Sequence, residues 1–341
     1  MDLFKTTFLK EDINYISEVL KSGNLGYGQL VNKFQEDFSS YSNKKYNIAT
    51  NSASGAAFMI FAYLKEKYGA CDVYTTSIGF ISPVWAAKHF GHNLIFVDVD
   101  DNLLFDIDDY YEKRKWRCER YSDGGITPVL MPILYGGVSN IPGFDDIKGG
   151  YNEIVVVDSA HCATPTIKSN FTFFSFHPFK PIAASDGGMI STKDKKAADY
   201  FTLYRNFGRE NINGTYDVVT NGFKFYMNNL NAGIALTQLK RYNDNLRVRK
   251  QCHNTVKDLK LNGRLLIHDT KSSYYFDTLI CDPNSVKELT EKYPTSKHYP
   301  LIHKTKLIND DCDLPNTEKL HKLIVNLPLY DENIYNSRSR S

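Results

Sequence analysis

Three features of this sequence predict an α/β fold: a mostly parallel central sheet flanked by helices, followed by a smaller C-terminal α+β unit. Short apolar runs rich in β-branched residues alternate with longer helical patterns along the first 200 or so residues. The 341 residues suffice for roughly two domains at about 150 residues each. A long helical stretch at 229–259, with Leu230, Ile234, Leu236, Leu239 and Tyr242 recurring at helical steps, stands where a link between two units would. The expected division is 1–245 and 246–335, with the polar 336–341 (NSRSRS) as a frayed tail.

In chain order, 45–49 reads as a strand, 51–56 (NSASGA) as a break of small residues and 57–67 as a helix. The same unit recurs as a strand at 73–76 and a helix near 83–90. Strands follow at 94–97, 128–134, 154–157, 171–176 and 188–192. Beyond the long helix, 274–280 and 296–301 read as strands and 317–324 as a helix.

Composition narrows the function. Hydrophobic residues at 42% and charged residues at 23% are ordinary globular values, which excludes a disordered chain. The 41 basic against 39 acidic side chains leave +2, too little for a protein that binds by neutralising a phosphate backbone, so no nucleic-acid partner is expected. Apolar runs are far shorter than the ~18 residues of a membrane helix, and the N-terminus carries acids where a signal peptide has its apolar core. Six scattered cysteines without a C-x-x-C pair fit reduced thiols, hence a cytoplasmic protein with no membrane or metal partner.

Three features sit at expected carboxyl ends of strands, where an open α/β sheet binds its ligand. The small-residue turn 51–56 opens a helix, so its amides suit a phosphate, or merely cap the helix. Asp158 ends the apolar strand 154–157; a buried carboxylate there asks for a cation or several donors, though it could equally cap the next turn. Lys180 closes the aromatic stretch 173–180 (FFSFHPFK) ahead of 185–188 (SDGG). A desolvated lysine there is a nucleophile for a carbonyl, and a solvated one is an ordinary loop residue. One compound satisfies all three features together: pyridoxal phosphate, with its phosphate, its protonatable ring nitrogen and its aldehyde.

The order and spacing of these motifs resemble the DegT/DnrJ/StrS family of sugar-nucleotide aminotransferases over about 22–329. The similar segments are 22–28 (SGNLGYG), 51–56, 157–162 (VDSAHC), 175–180 (SFHPFK), 204–208 (YRNFG), 222–227 (GFKFYM), 299–303 (YPLIH) and 326–329 (NLPL). The resemblance implies the aspartate aminotransferase fold (type I) and pyridoxal 5'-phosphate (PLP). It also implies a homodimer and amino transfer from L-glutamate to a nucleotide-linked keto sugar.

By the same resemblance, Ser54, Gly55 and Ser175 hold the cofactor phosphate, Phe80 stacks on the ring, Asp158 pairs with the ring nitrogen and His161 lies near the ring oxygen. Lys180 is the imine lysine. Sugar dehydratases of this fold have histidine at that position, so Lys180 favours amino transfer over dehydration. Lys224 reaches the neighbouring subunit's phosphate, while Gly26, Tyr27 and His303 lie on the substrate side. The sequence departs from the pattern at Lys224 (usually Asn), Tyr226 (usually Arg), Ile133 (usually His) and Val157 (usually Glu). Another PLP reaction, or a cofactor-binding relative without catalysis, remains the alternative reading.

The other signals read as structure. His177 reads as a packed histidine, His89 and His92 as a helix-ending surface pair and 240–250 as a solvated basic face. No G-x-G-x-x-G follows a strand and no G-x-x-x-x-G-K-[ST] occurs, which removes the usual nicotinamide and ATP readings.

Overall fold

Successive αβ units put helices where apolar side chains recur and strands where β-branched runs end in small residues. The computed structural model describes residues 5–121, 126–147, 153–297 and 299–331; the expected tail at 336–341 lies outside the described residues. The chain opens with α1 (Lys10–Lys21), α2 (Gln29–Asp37) and the short α3 (Ser39–Ser42). There follow β1 (Tyr46–Thr50), α4 (Ala53–Tyr68), β2 (Asp72–Thr76), α5 (Ile81–His89), β3 (Asn93–Val97), α6 (Ile107–Tyr121) and β4 (Pro128–Met131). Next come β5 (Ile154–Asp158), β6 (Phe171–Ser175), β7 (Gly188–Thr192) and α7 (Lys195–Tyr204), then the hairpin β8 (Arg209–Ile212) and β9 (Thr215–Val218). The C-terminal part contains α8 (Asn229–Lys240), α9 (Tyr242–Asp258), β10 (Arg264–Leu265), β11 (Asp277–Ile280), α10 (Pro283–Lys292), α11 (Pro315–Leu323) and β12 (Ile324–Leu327).

The seven strands of the large sheet lie in the order β1-β7-β6-β5-β4-β2-β3, with β7 alone antiparallel to its neighbours. The ends of β1, β2, β4, β5 and β6 therefore share one edge. Helix α4, apolar on nearly every side, is buried from Gly55 to Leu64 apart from the half-buried Phe58, alongside side chains of α5, α7 and the large sheet. Caps fix where helices begin: Ser52 accepts from the Gly55 amide, Asp194 from those of Lys196 and Ala197, and Asn228 from that of Asn231.

Four expectations about elements are corrected. Helix α4 starts at Ala53 and not at 57, because Ser52 supplies the cap inside the stretch expected to be loop. The helix expected over 229–259 is two, α8 and α9, broken at Arg241. Arg241 ends α8 and ties back to the N-terminal segment through Asp12 at 2.6 Å and the Thr7 carbonyl at 2.9 Å. The strand expected at 296–301 is a single bridge between Ser296 and Asn326, since Tyr299 and its neighbours turn toward the large sheet's edge. The helix expected to run through 324 ends at Leu323, where β12 begins.

A three-stranded antiparallel sheet, β10-β11-β12, organises the C-terminal part. Helix α9 is pinned to it by His253, whose Nδ1 meets the buried Asp277 carboxylate at 2.8 Å; His268 Nε2 meets the same carboxylate at 3.1 Å. These donors hold the Asp277 carboxyl below its usual range despite burial.

At the large sheet's edge, Gly188 begins β7 directly beneath the start of α4. A Cβ on Gly188 would lie 2.4 Å from the Ser52 carbonyl carbon and 2.6 Å from the Ala53 nitrogen. Gly188→Ala is therefore expected to lower unfolding free energy by about 1–3 kcal/mol, as overpacking does. An unchanged urea midpoint would contradict this close approach.

Candidate active site

The carboxyl edge of the large sheet opens into a cavity of about 770 Å³. Each strand end supplies part of its wall. After β1 come Ser52, Ala53 and Ser54; after β2, Gly79 and Phe80; after β4, Ile133; at the end of β5, Asp158 followed by Ala160 and His161; and from β6 and its loop, Ser175, His177 and Lys180. Sheet register aligns them: Asp158 bridges Ile133 on one side and pairs with Phe173 on the other, and Ser175 pairs with Gly188. Six of the expected site residues (Ser54, Phe80, Asp158, His161, Ser175 and Lys180) thus share one cavity.

The electrostatics follow from burial. Asp158 is 3% exposed, and among the described residues only the Ala160 amide, at 2.9 Å, donates to its carboxylate. Desolvation pushes its carboxyl up to about 6, against the pull of that amide and of Lys180. Burial likewise lowers the Lys180 ammonium from 10.5 to about 7, with Asp158 opposing the shift. Near neutral pH the amine therefore has a substantial uncharged, nucleophilic fraction. His161 is buried, its Nε2 3.0 Å from the Tyr299 hydroxyl and its ring stacked at 14° on that of Tyr299. Phe80, 54% exposed, presents a flat apolar face across the opening.

The residues present fit PLP. A buried carboxylate with one backbone donor suits a protonated ring nitrogen, and a depressed lysine suits an aldehyde. The first-turn amides of Ala53 and Ser54, which have no intrahelical acceptor, suit a phosphate. Gly55 does not fit its expected role: its amide donates to Ser52 Oγ at 3.0 Å, because the helix begins earlier than expected and Gly55 falls at the capped position.

Other expectations are also corrected. His303 does not line the cavity. It is fully buried, with Nδ1 2.6 Å from Ser77 Oγ and Nε2 3.3 Å from Glu318, while Tyr299, Pro300, Ile302, Thr305 and Leu307 of the same segment form the wall. Gly26 and Tyr27 border a separate hollow beside α1 and α8. There the Tyr27 hydroxyl donates to Asn32 and accepts from Arg205, which itself is anchored to the Ala49 carbonyl.

Lys224, expected to reach a neighbouring subunit and not its own cavity, is exposed on this chain, its amine 5.6 Å from the Tyr226 ring. His177 is exposed at the cavity and not packed in a core. His92 is buried and not on the surface: Nδ1 accepts from the Cys71 amide and Nε2 meets the Phe61 carbonyl. Arg249, within the expected solvated face, donates to the Tyr274 and Tyr275 carbonyls.

Sequence reasoning missed Ser52, Tyr275 and Tyr299. Ser52 lay inside the small-residue turn and Tyr299 headed the segment from which only His303 was chosen. Tyr275 had no motif around it to single it out.

A carboxylate and an amine, shifted toward each other by shared burial beneath a helix N-terminus, define a site for a phosphorylated aldehyde cofactor of the pyridoxal type. Comparison with known proteins agrees. The model of the DegT/DnrJ/EryC1/StrS aminotransferase family matches residues 7–335, and the chain belongs to that family. Its members use PLP, and this chain is a PLP-dependent aminotransferase.

The spore coat polysaccharide biosynthesis protein SpsC of Bacillus subtilis is similar at 27% identity, over 94% of this chain and 90% of that protein. The UDP-4-amino-4,6-dideoxy-N-acetyl-beta-L-altrosamine transaminase of Campylobacter jejuni is 24% identical over 95% and 90%. Among solved structures, Helicobacter pylori PseC, an aminotransferase of pseudoaminic acid biosynthesis, superposes with a TM-score of 0.85 at 20% identity, covering 98% of this chain and 97% of that one. The last likeness shows the shared fold.

The two shifted groups act on stability with opposite sign. Between about pH 7 and 10 the unfolded chain keeps the lysine proton that the folded chain has lost, so the Lys180 contribution makes stability rise with pH. For Asp158 the folded chain keeps the proton longer, so its contribution falls from about pH 4 to 6. In cofactor-free protein, Lys180→Met is expected to flatten the rise above pH 7 seen by urea denaturation. A slope matching wild type would contradict the buried amine.

Proposed function

We propose that this aminotransferase moves an amino group from L-glutamate to a keto-deoxysugar nucleotide, a 3- or 4-keto-6-deoxyhexose. The product would serve amino-sugar and surface-polysaccharide synthesis, such as lipopolysaccharide O-antigen. The observation that carries this reading is the joint presence of Lys180 and Asp158 in one cavity, in a chain of this family. The named activities of its relatives in Bacillus and Campylobacter support the sugar class. Part of the wall suits a deoxysugar: Phe80, Ile133, Pro300, Ile302 and Leu307 give an apolar surface beside the polar end.

The cofactor, when bound, supplies a ring that takes up the electron pair left when a proton departs the nitrogen-bearing carbon. The chain's own residues do the rest. Asp158 holds positive charge at the buried end of the cavity. The Lys180 amine, uncharged in part near pH 7, would hold the aldehyde and, once displaced by the donor's amine, would be free to move the proton as base and acid. His161, steadied by Tyr299, faces the same space. Ser54 and Ser175 offer hydroxyls, and Phe80 a stacking face.

The enzyme is read as a cytoplasmic homodimer, with a large unit of residues 1–245 and a small one of 246–335. Free cysteines throughout and an exposed apolar hairpin support this reading: Phe207, Ile212, Tyr216, Val218 and Phe223 ask for a covering second copy. Among the described residues no helix is long and apolar enough to cross a membrane.

Lys180→Ala is expected to abolish the visible absorbance of bound cofactor and the glutamate half-reaction; normal turnover by that variant refutes the assignment. Asp158→Asn should slow the half-reaction by about 100-fold or more with unchanged circular dichroism. Mass spectrometry of products from a panel of keto-sugar nucleotides identifies the acceptor, and transfer to none of them overturns the sugar reading.

A further inference from the structure

The loop that carries Lys180 borders the C-terminal part of the chain, and there the lysine meets an aromatic ring. The Lys180 amine lies 4.4 Å from the centroid of Tyr275, and the same ring contacts His161, 4.3 Å centroid to centroid. Tyr275 is 2% exposed and borders the cavity, so a half-buried amine lies over a ring face turned away from bulk water, where attraction between a cation and an aromatic ring is stronger than at a fully solvated site.

The ring is held from several sides. The Tyr275 amide donates to the Gly136 carbonyl at 2.9 Å, and the Ser273 amide to the Gly137 carbonyl at 2.7 Å. Arg249 of α9 donates to the carbonyls of both Tyr274 and Tyr275. The approach to the glycine turn is so close that a Cβ on Gly137 would sit 2.8 Å from the Tyr275 nitrogen, and both glycines have positive φ, 67° and 92°. Such anchoring on backbone fixes the ring independently of whatever enters the cavity.

We propose that Tyr275 is a positioning residue for Lys180. Its ring face favours the charged amine and holds it at one place in the cavity, so that the C-terminal part of the chain sets where and at what pH the lysine is available. This rests on the reading of Lys180 as the cofactor-binding lysine, and it adds a role for a residue outside every recognised motif. The other titratable groups bordering the same space are Asp158 at the end of β5, His161 after it, His177 on the lysine's own loop, Asp186 before β7 and Tyr299, while Lys5, Arg241 and Arg249 share a second hollow with Lys180 and Tyr275. Asp158 favours the charged amine, as the ring does. Partial burial, and after it the charge of Lys180, holds the His177 imidazole below its usual range.

The test reads Lys180 directly and not through turnover. Full-length protein stripped of cofactor is treated with a small acetylating reagent across pH 5–10, and the extent of modification of the Lys180 peptide is followed by mass spectrometry. Tyr275→Phe keeps the ring face and is expected to keep the wild-type midpoint. Placing 3,4,5-trifluorophenylalanine at position 275 keeps the volume but weakens the ring's negative face, and is expected to lower the midpoint by about half a pH unit or more.

Tyr275→Leu should lower the midpoint as well; if it fails to fold, the fluorinated variant still decides. A midpoint that is unmoved by fluorination, or that rises, overturns the proposal whatever happens to stability, because a purely structural ring would change melting without moving the titration. The outcome is separable from the reading of Lys180 as the cofactor-binding lysine, which fails if Lys180→Ala still binds cofactor and turns over.

Discussion

A carboxylate and an amine are taken out of water at the same sheet edge, and the surrounding structure is arranged around that cost. Isolated, each group would relax by neutralising: Asp158 toward its acid and Lys180 toward its free base, the directions in which burial moves them. Their mutual attraction only partly restores the charges. The pair therefore sits near the balance point at neutral pH, which a site needs when one group must stay anionic toward a cation and the other must be able to lose a proton.

Holding that balance requires exclusion of water without exclusion of the ligand. The sheet does this by ending its strands together while the antiparallel β7 slips in beneath the start of α4 through Gly188. The small residues of the β1–α4 turn are thereby explained twice over: they let the backbone of Gly188 approach, and they leave first-turn amides facing the cavity. A larger side chain at either place would trade ligand space for packing.

Most of the large sheet was legible because its strands are short β-branched runs bounded by turns, a pattern set by local physics. Asp158 and Lys180 were legible for a related reason: Asp158 closes such a strand, and Lys180 stands in the short loop after an aromatic one. What was not legible depends on contacts distant in sequence. The bend at Arg241 comes with a salt bridge to Asp12 and a bond to Thr7, more than 200 residues earlier. His303 looked like a ligand-facing group by type and motif, but the Ser77 hydroxyl at the end of β2 draws it inward. Gly55 was misplaced because a serine inside a small-residue run can start a helix as readily as precede one. Tyr275 was invisible as a site residue because nothing local distinguishes it among 23 tyrosines, and Tyr299, though it heads the 299–303 motif, was passed over for the histidine beside it.

These two tyrosines change how the chain's halves relate to the chemistry. Both come from the part of the sequence after α9, yet one lies against the lysine and the other against the histidine of a site otherwise built from the ends of the large sheet. The glycine turn after β4 and Arg249 of α9 grip the same backbone segment, so the C-terminal sheet cannot shift relative to the large one without moving a ring in the cavity. The geometry of the site is thus a property of how the two parts are docked. Substitutions at that junction, far in sequence from every motif, act on the lysine through the ring that touches it.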